Sequence, residues 1–295
     1  MTQPFQRVLL VSKYRDPSVL PGLRKLRDFI IAQGLEVFLE TQCAAEINEN
    51  LGLRLLSFAE AQAESDLVIA IGGDGTLLGT ARQTARSGVA ILGVNQGRLG
   101  FLADLAIEQI DTALPPILQG HYQQDLRRVL HAELWRGQTQ IHSGLAINEI
   151  FIHKGCGESM IELRVHIDGR FVYTQRADGV IFATPTGSTA YAMSAGGPIL
   201  SPSLEALLLV PICPHTLTAR PLVVADTVEI RARLTASRQP AALSLDSHNS
   251  LALEVGDEIL IRRAQCSARF IHPEEENFFQ ILRSKLHWAE PPGDD

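Results

Sequence analysis

The segment Gly72-Gly73-Asp74-Gly75 places one acid among three glycines. Glycines lack a Cβ, so a bulky anion can come close to their backbone. The residues that follow, Thr76-Leu77-Leu78, suit a helix, whose first N–H groups and positive dipole end favour phosphate. Gly72, Gly73, Gly75 and Thr76 therefore read as a phosphate loop. Asp74 does not fit a plain phosphate cradle, because a carboxylate repels phosphate. It fits a reaction in which an acid deprotonates a hydroxyl, or holds a cation, while a phosphoryl group moves. The plainer reading is a tight turn with Asp74 capping the helix. Three glycines in four residues after a buried strand favour chemistry. Two familiar phosphate motifs fail on spacing. A P-loop needs a lysine beside its second glycine, and the lysines are Lys13, Lys25, Lys154 and Lys285. The dinucleotide pattern Gly-x-Gly-x-x-Gly fits Gly73 and Gly75, but its third place holds Leu78.

Two further polar groups stand in apolar surroundings. Asn148-Glu149 interrupts Leu145-Ala146-Ile147 and Ile150-Phe151-Ile152. Neighbouring strand residues point to opposite faces, so one of the pair faces a packed side. Burying an unpaired charge costs on the order of several kcal/mol, and a polar ligand would satisfy it. An edge strand or bulge that lets both reach water explains the pair equally well. Arg176-Ala177-Asp178-Gly179 leads into the apolar run 180–183, which ends in Thr184-Pro185-Thr186-Gly187-Ser188-Thr189-Ala190-Tyr191. Thr186, Ser188 and Thr189 can cap a helix or donate to ligand oxygens, and Tyr191 offers a flat face to a base. One hydroxyl would cap the helix; the redundancy favours a binding turn.

The elements that must hold these groups change along the chain. Strand-like and helix-like runs alternate over the first third: strands at 8–11, 35–39, 67–71 and 89–94, helices at 18–33, 51–63 and 76–87. This alternation predicts a doubly wound parallel sheet, with ligands at the carboxyl ends of its strands. The glycine turn falls there, as does Asn95-Gln96-Gly97-Arg98-Leu99-Gly100, where Arg98 offers a phosphate contact. After Gly120 alternating β-branched stretches dominate, at 129–134, 140–152, 161–167, 171–174, 180–183, 228–234, 243–245 and 258–261, with a hairpin signal at Asp168-Gly169. Residues 274–286 carry an amphipathic helical pattern, and 291–295 read as a frayed end. The expectation is an α/β fold plus an all-β fold. An N-terminal doubly wound domain of residues 1–124 with 273–295 carries the glycine loop. A β-rich domain spans 125–272, and the C-terminal helix returns to the first domain.

With 295 residues, 45% of them hydrophobic and 20% charged, the chain reads as an ordinary soluble protein. Its net charge of −7 argues against nucleic acid or an anionic membrane as partner. No run approaches the ~18 apolar residues of a spanning helix. Residues 1–7 lack the apolar stretch and cleavage site of a secretory signal. Cys43, Cys156, Cys213 and Cys266 are widely spaced, which suits neither a disulfide framework nor a zinc site. Neither does any histidine pattern support a metal site built from side chains. A reducing cytoplasm fits all of this.

Together these segments resemble the bacterial NAD kinase family. The blocks are, in order, 72–78, 95–102, 146–150, 178–191 with 194–199, and Pro214-His215-Thr216-Leu217-Thr218-Ala219-Arg220-Pro221. The first block alone is weak, since lipid kinases of the diacylglycerol type and phosphofructokinases share such a turn; the fourth is specific. The resemblance implies phosphoryl transfer from ATP to the 2′-hydroxyl of the adenosine ribose of NAD, giving NADP. It implies Mg²⁺ or another divalent cation, bound with the nucleotide. Asp74 would be the base. Asn148 and Glu149 would bind adenosine and ribose groups. Gly75, Arg176, Asp178, Thr186, Thr189, Ala190, Tyr191, Ala192, Met193 and Ser194 would line the rest of the NAD site. The resemblance also implies a homodimer or homotetramer with the NAD site near a subunit boundary. His248 stands where the family often has Gln, which would make that contact titratable near neutral pH. A lipid kinase and a non-catalytic dinucleotide sensor are the alternatives. The polar 186–191 turn speaks against the first and an intact Asp74 against the second.

Overall fold

The computed structural model describes residues 4–12, 16–97, 100–103, 105–157, 159–274 and 277–286. Arg98 and the 291–295 tail lie outside the described residues. The chain divides into two compact units, residues 1–126 with 268–295, and residues 127–267.

The first unit strings together β1 (Arg7–Ser12), α1 (Leu20–Ala32), β2 (Glu36–Glu40), α2 (Thr41–Ile47), β3 (Arg54–Leu56), α3 (Phe58–Glu64), β4 (Leu67–Ile71), α4 (Asp74–Thr84), β5 (Ala90–Asn95), β6 (Leu105–Ala106) and α5 (Ile110–Leu118). Parallel pairing gives the order β3-β2-β1-β4-β5. That is a doubly wound sheet whose order reverses between β1 and β4. Every residue of β4 is buried, as continuous apolar runs are when helices cover both faces. In α1, Leu23, Leu26 and Ile30 lie on one face at helical spacing and are fully buried, each worth about 1.5–3 kcal/mol.

The expected helix at 51–63 is not a single helix. Leu51 and Gly52 take positive φ, Arg54–Leu56 pairs with β2, and only α3 is helical, started by a capping box of Ser57 and Glu60. Pairing to the sheet overrides local helical propensity there. Helix α2 was not expected; the Glu40 side chain accepts from the N–H groups of Gln42 and Cys43 and so starts it.

The second unit is a β-sandwich. Its strands are β7 (Gln123–Arg136), β8 (Thr139–Ala146), β9 (Glu149–His153), β10 (Ile161–Ile167), β11 (Arg170–Ala177), β12 (Gly179–Ala183), β13 (Ala206–Ile212), β14 (Leu222–Ala225), β15 (Ile230–Ala236), β16 (Ala241–Leu245), β17 (His248–Leu253) and β18 (Glu258–His272); a short α6 (Tyr191–Ser194) follows β12. One sheet runs β11-β10-β15-β18-β7-β8, the other β14-β13-β12-β9-β16-β17, and every pairing within the second is antiparallel. Ile150, Ile152, Val180, Phe182, Leu207 and Leu209 of the second sheet share a core with Leu163, Val165, Ala232 and Ile259 of the first. The Asp168-Gly169 turn joins β10 and β11 with both residues at positive φ.

The run 140–152 is two strands, broken at 147–148. The run 258–261 extends to His272, because its end pairs with β5, Phe270 against Ile91. Within the first unit, where β6 also pairs in parallel with the end of β5, residues 268–272 thus add a seventh parallel strand. There too α7 (Phe278–Leu286) buries Ile281 and Leu282. Among the described residues no helix is long and apolar enough to cross a membrane.

Candidate active site

In the first unit the glycine turn leaves the carboxyl end of β4, beside the point where strand order reverses. Gly72 N–H donates to the Val94 carbonyl (2.9 Å), tying the turn to the end of β5. Gly73 precedes α4 with no side-chain cap, and both Gly73 and Gly75 are exposed, with nothing within 4 Å of where a Cβ would stand. Thr76 N–H donates to the Gly73 carbonyl (3.0 Å), and the turn ahead of it presents its backbone at an unobstructed surface.

Asp74 is half-buried at the first helical position and does not cap the helix. Its Oδ2 accepts from Phe101 N–H (2.9 Å) and its Oδ1 from Leu102 N–H (3.0 Å). The carboxylate is held by a loop 27 residues away. Each oxygen keeps a lone pair for something else. Gly100 makes this possible, since a Cβ there would stand 2.0 Å from Oδ1. Thr76 is half-buried within the first turn of the helix, and its carbonyl accepts from Thr80 Oγ1.

In the second unit, β9 begins where β12 and β16 end: Glu149 pairs with Ala183, and Ile150 with Leu245. The bend at 147–148 lies at that edge. Asp246, at 5% exposure, accepts from the N–H groups of Ile147 (2.9 Å), Asn148 (2.7 Å) and Glu149 (3.0 Å). Thr184 Oγ1 donates to the Ile147 carbonyl (2.6 Å) and accepts from Gly187 N–H (3.1 Å). Glu149 is buried and Asn148 half-buried, so neither is at an open edge.

After β12 the chain makes a 3-10 turn, residues 186–189, and then the single-turn α6. Its hydroxyls make no helix cap. Ser188, fully buried, donates to the Pro185 carbonyl and accepts from Leu200 N–H, and Thr189 donates to the Thr186 carbonyl. The hydroxyl redundancy thus braces the turn itself. Gly187 packs against Asn148 so closely that a Cβ would lie 2.2 Å from the Asn148 carbonyl oxygen. Thr186 is buried, with Arg127 Nη1 3.4 Å from its Oγ1.

Tyr191 is 42% exposed and meets Phe151 edge-on (5.3 Å), which in turn stacks on His153 (4.6 Å). Burial pushes the His153 imidazole below its ordinary pKa and favours the neutral ring. Ala190 and Met193 are half-buried and Ser194 is exposed, whereas Ala192 packs with Ile181, Leu200 and Val210 in the core, leaving only its backbone for a ligand. His248 follows the two-residue Asp246-Ser247 turn, its Nδ1 3.0 Å from the Asp246 carbonyl oxygen.

Arg176 and Asp178 do not join this cluster. They precede β12, while Thr184 follows it; six residues of strand span about 20 Å. Arg176 is exposed, and Asp178 pairs with Lys154 (2.9 Å).

Arg127 and Asp246 escaped the sequence reading. Arg127 has no flanking motif. For Asp246, nothing local announces that its carboxylate binds the backbone 98 residues away. Among the described residues no group of three or more His, Cys, Asp or Glu side chains gathers as a metal cage.

A doubly wound sheet with an acid in the glycine turn at its switch point is equipment for phosphoryl transfer on a nucleotide. Comparison with known proteins agrees. Residues 8–122 match the model of the ATP-NAD kinase N-terminal domain, and residues 147–273 that of the ATP-NAD kinase C-terminal domain. The chain is 79% identical to an NAD kinase of Acidithiobacillus ferrooxidans over the full length of both, and 43% identical to an NAD kinase of Delftia acidovorans, covering 98% of this chain and 99% of the relative. Among solved structures it resembles yeast NADH kinase complexed with NADH (TM-score 0.91, 27% identity, 100% of this chain and 91% of that one). It also resembles an NAD kinase from Archaeoglobus fulgidus in complex with ATP (TM-score 0.74, 27% identity, 96% and 99%). The chain belongs to the NAD kinase family and is a kinase.

Proposed function

We propose that this enzyme transfers the γ-phosphoryl group of ATP to the 2′-hydroxyl of the adenosine ribose of NAD, giving NADP and ADP, in the cytoplasm. The observation that carries the mechanism is the Asp74 carboxylate, oriented by two loop N–H groups beside exposed glycines. Asp74 takes the hydroxyl proton as the ribose oxygen forms its bond to the γ-phosphorus. The bond from phosphorus to the β–γ bridging oxygen breaks and ADP leaves. The glycine-turn N–H groups of Gly73 and Gly75 offset charge on the phosphoryl oxygens, while those of Gly72 and Thr76 hold the turn through the Val94 and Gly73 carbonyls. The donor set suits a hydrated divalent cation held mainly by nucleotide phosphates with one carboxylate, Asp74, rather than a protein cage. Such a cation would neutralise phosphate charge.

Asn148 and Glu149 hydrogen-bond adenosine and ribose. Tyr191 presents its exposed face to a base, and Thr186, Thr189 and the 190–194 backbone line the remainder of the dinucleotide site. Arg176 and Asp178 stand too far along β12 to share that ligand within one sandwich. We therefore assign them to the NAD bound by a second copy of the chain in a homodimer or homotetramer.

NADP formation from NAD, ATP and Mg²⁺ tests the reading, with Asp74→Asn in parallel. Turnover by the wild type and its loss in the variant supports both reaction and base. Activity on diacylglycerol but not on NAD, or NAD binding without turnover under any donor, would overturn it.

A further inference from the structure

The backbone of residues 147–149 has each of its six hydrogen-bonding groups taken by two residues. Asp246 accepts from the N–H groups of Ile147, Asn148 and Glu149, and its own N–H donates to the Glu149 carbonyl (2.9 Å). Thr184 donates its hydroxyl to the Ile147 carbonyl and its N–H to the Asn148 carbonyl (2.8 Å). Neither is a neighbour in sequence; Asp246 is 98 residues from Asn148. Asp246 is nearly sealed and Thr184 is fully buried, so neither is placed to touch a ligand. A strand ladder would supply alternate donors and acceptors from a partner backbone. Here one carboxylate replaces that partner for three consecutive N–H groups, and it thereby turns consecutive residues out of strand alternation.

We propose that Asp246 and Thr184 are positioning residues for NAD: they set the direction of the Asn148 and Glu149 side chains and so the affinity for the adenosine ribose. This rests on the reading of Asn148 and Glu149 as NAD contacts. A carboxylate is required because it accepts through both oxygens and donates nothing. An amide at 246 would turn an N–H₂ group toward backbone N–H donors. A hydroxyl is required at 184 because it donates to one carbonyl while accepting from Gly187.

The test is steady-state kinetics on the full-length enzyme with NAD and ATP varied separately, together with thermal unfolding. The variants are Asp246→Asn, Thr184→Val, Thr184→Ser and Asn148→Ala. Misplacing two ligand contacts by about an ångström should raise the KM for NAD ~10- to 100-fold in Asp246→Asn and Thr184→Val. The KM for ATP should stay within about twofold, and Thr184→Ser should lie near wild type in both. A role confined to stability would instead lower apparent kcat through lost active enzyme and leave both KM values alone. Folded Asp246→Asn with an unchanged KM for NAD, while Asn148→Ala raises it, overturns the positioning role. An unchanged KM for NAD in Asn148→Ala overturns the underlying site reading. Should Asp246→Asn not fold, the Thr184 pair decides: equal KM values for NAD in the Val and Ser variants sink the proposal.

Discussion

Asp74 in the first unit and Asp246 in the second make the same kind of bond with different freedom. Each carboxylate accepts backbone N–H groups from a distant segment. Asp74 takes two, is half-buried, and lies beside exposed glycines. Asp246 takes three and is 5% exposed. An acid with spare lone pairs at an open turn can still receive a proton. One enclosed by donors serves only to shape the backbone. Exposure and residual acceptor capacity separate a reacting carboxylate from a structural one more sharply than residue type does.

The strongest way to break this contrast is Asp74→Asn. Loss of a general base should lower kcat by ~10²- to 10⁴-fold while NAD binding, read by calorimetry, persists. Near-normal turnover would remove Asp74 as the base. Next comes Gly100→Ala, whose Cβ would stand 2.0 Å from Asp74 Oδ1. Displacing the carboxylate without removing it should cost about 10- to 100-fold in kcat; an unchanged kcat would show that the 100–102 loop does not set the aim of the acid.

The counterpart in the second unit is Gly187→Ala, which drives a Cβ against the Asn148 carbonyl at 2.2 Å. Backbone cannot yield as a side chain does, so we expect the KM for NAD to rise roughly tenfold and about 1–3 kcal/mol of stability to be lost. A rise confined to the KM for ATP would refute this. The smallest effect concerns a third carboxylate, Asp257. Burial alone would raise its pKa, but the bidentate Arg136 guanidinium (both bonds 2.9 Å) and the Glu254 N–H outweigh it and hold the carboxyl below the usual carboxylate range. A pKa depressed on folding contributes stability that is complete above the ordinary carboxylate range and is lost as pH falls through the lower folded value. Asp257→Asn should therefore unfold at lower urea than wild type at pH 7, with the gap narrowing below about pH 4. A gap independent of pH would assign the contribution to packing.

The sequence revealed residues that break a local pattern. The glycine turn interrupts an apolar strand, Asn148-Glu149 interrupts another, and the hydroxyls of 184–189 crowd one turn. The doubly wound sheet and the tail helix were equally legible, because β1, β4, β5 and α1 keep their periodicity. What stayed hidden depends on partners far away in the chain. Residues 140–152 read as one strand because the acceptor that breaks it, Asp246, lies 98 residues from Asn148. Residues 51–63 read as helix because nothing local announces that Arg54–Leu56 pairs with β2. The turn hydroxyls were legible as a cluster, but their targets, such as the Ile147 carbonyl for Thr184, were not.

The pairing of Phe270 with Ile91 has a consequence for how the chain is made. The first unit is interrupted after residue 126 and resumes at 268. On the ribosome its parallel sheet therefore waits for its last strand until the whole sandwich has been synthesised. At ~5–20 residues per second that delay is on the order of ten seconds or more. For that time the Ile91 stretch of β5 is an unpaired edge of a hydrophobic sheet, a template for the wrong strand. Newborn chains should thus pass through an interval in which the sandwich can already fold while the unit that bears Asp74 is still open to aggregation.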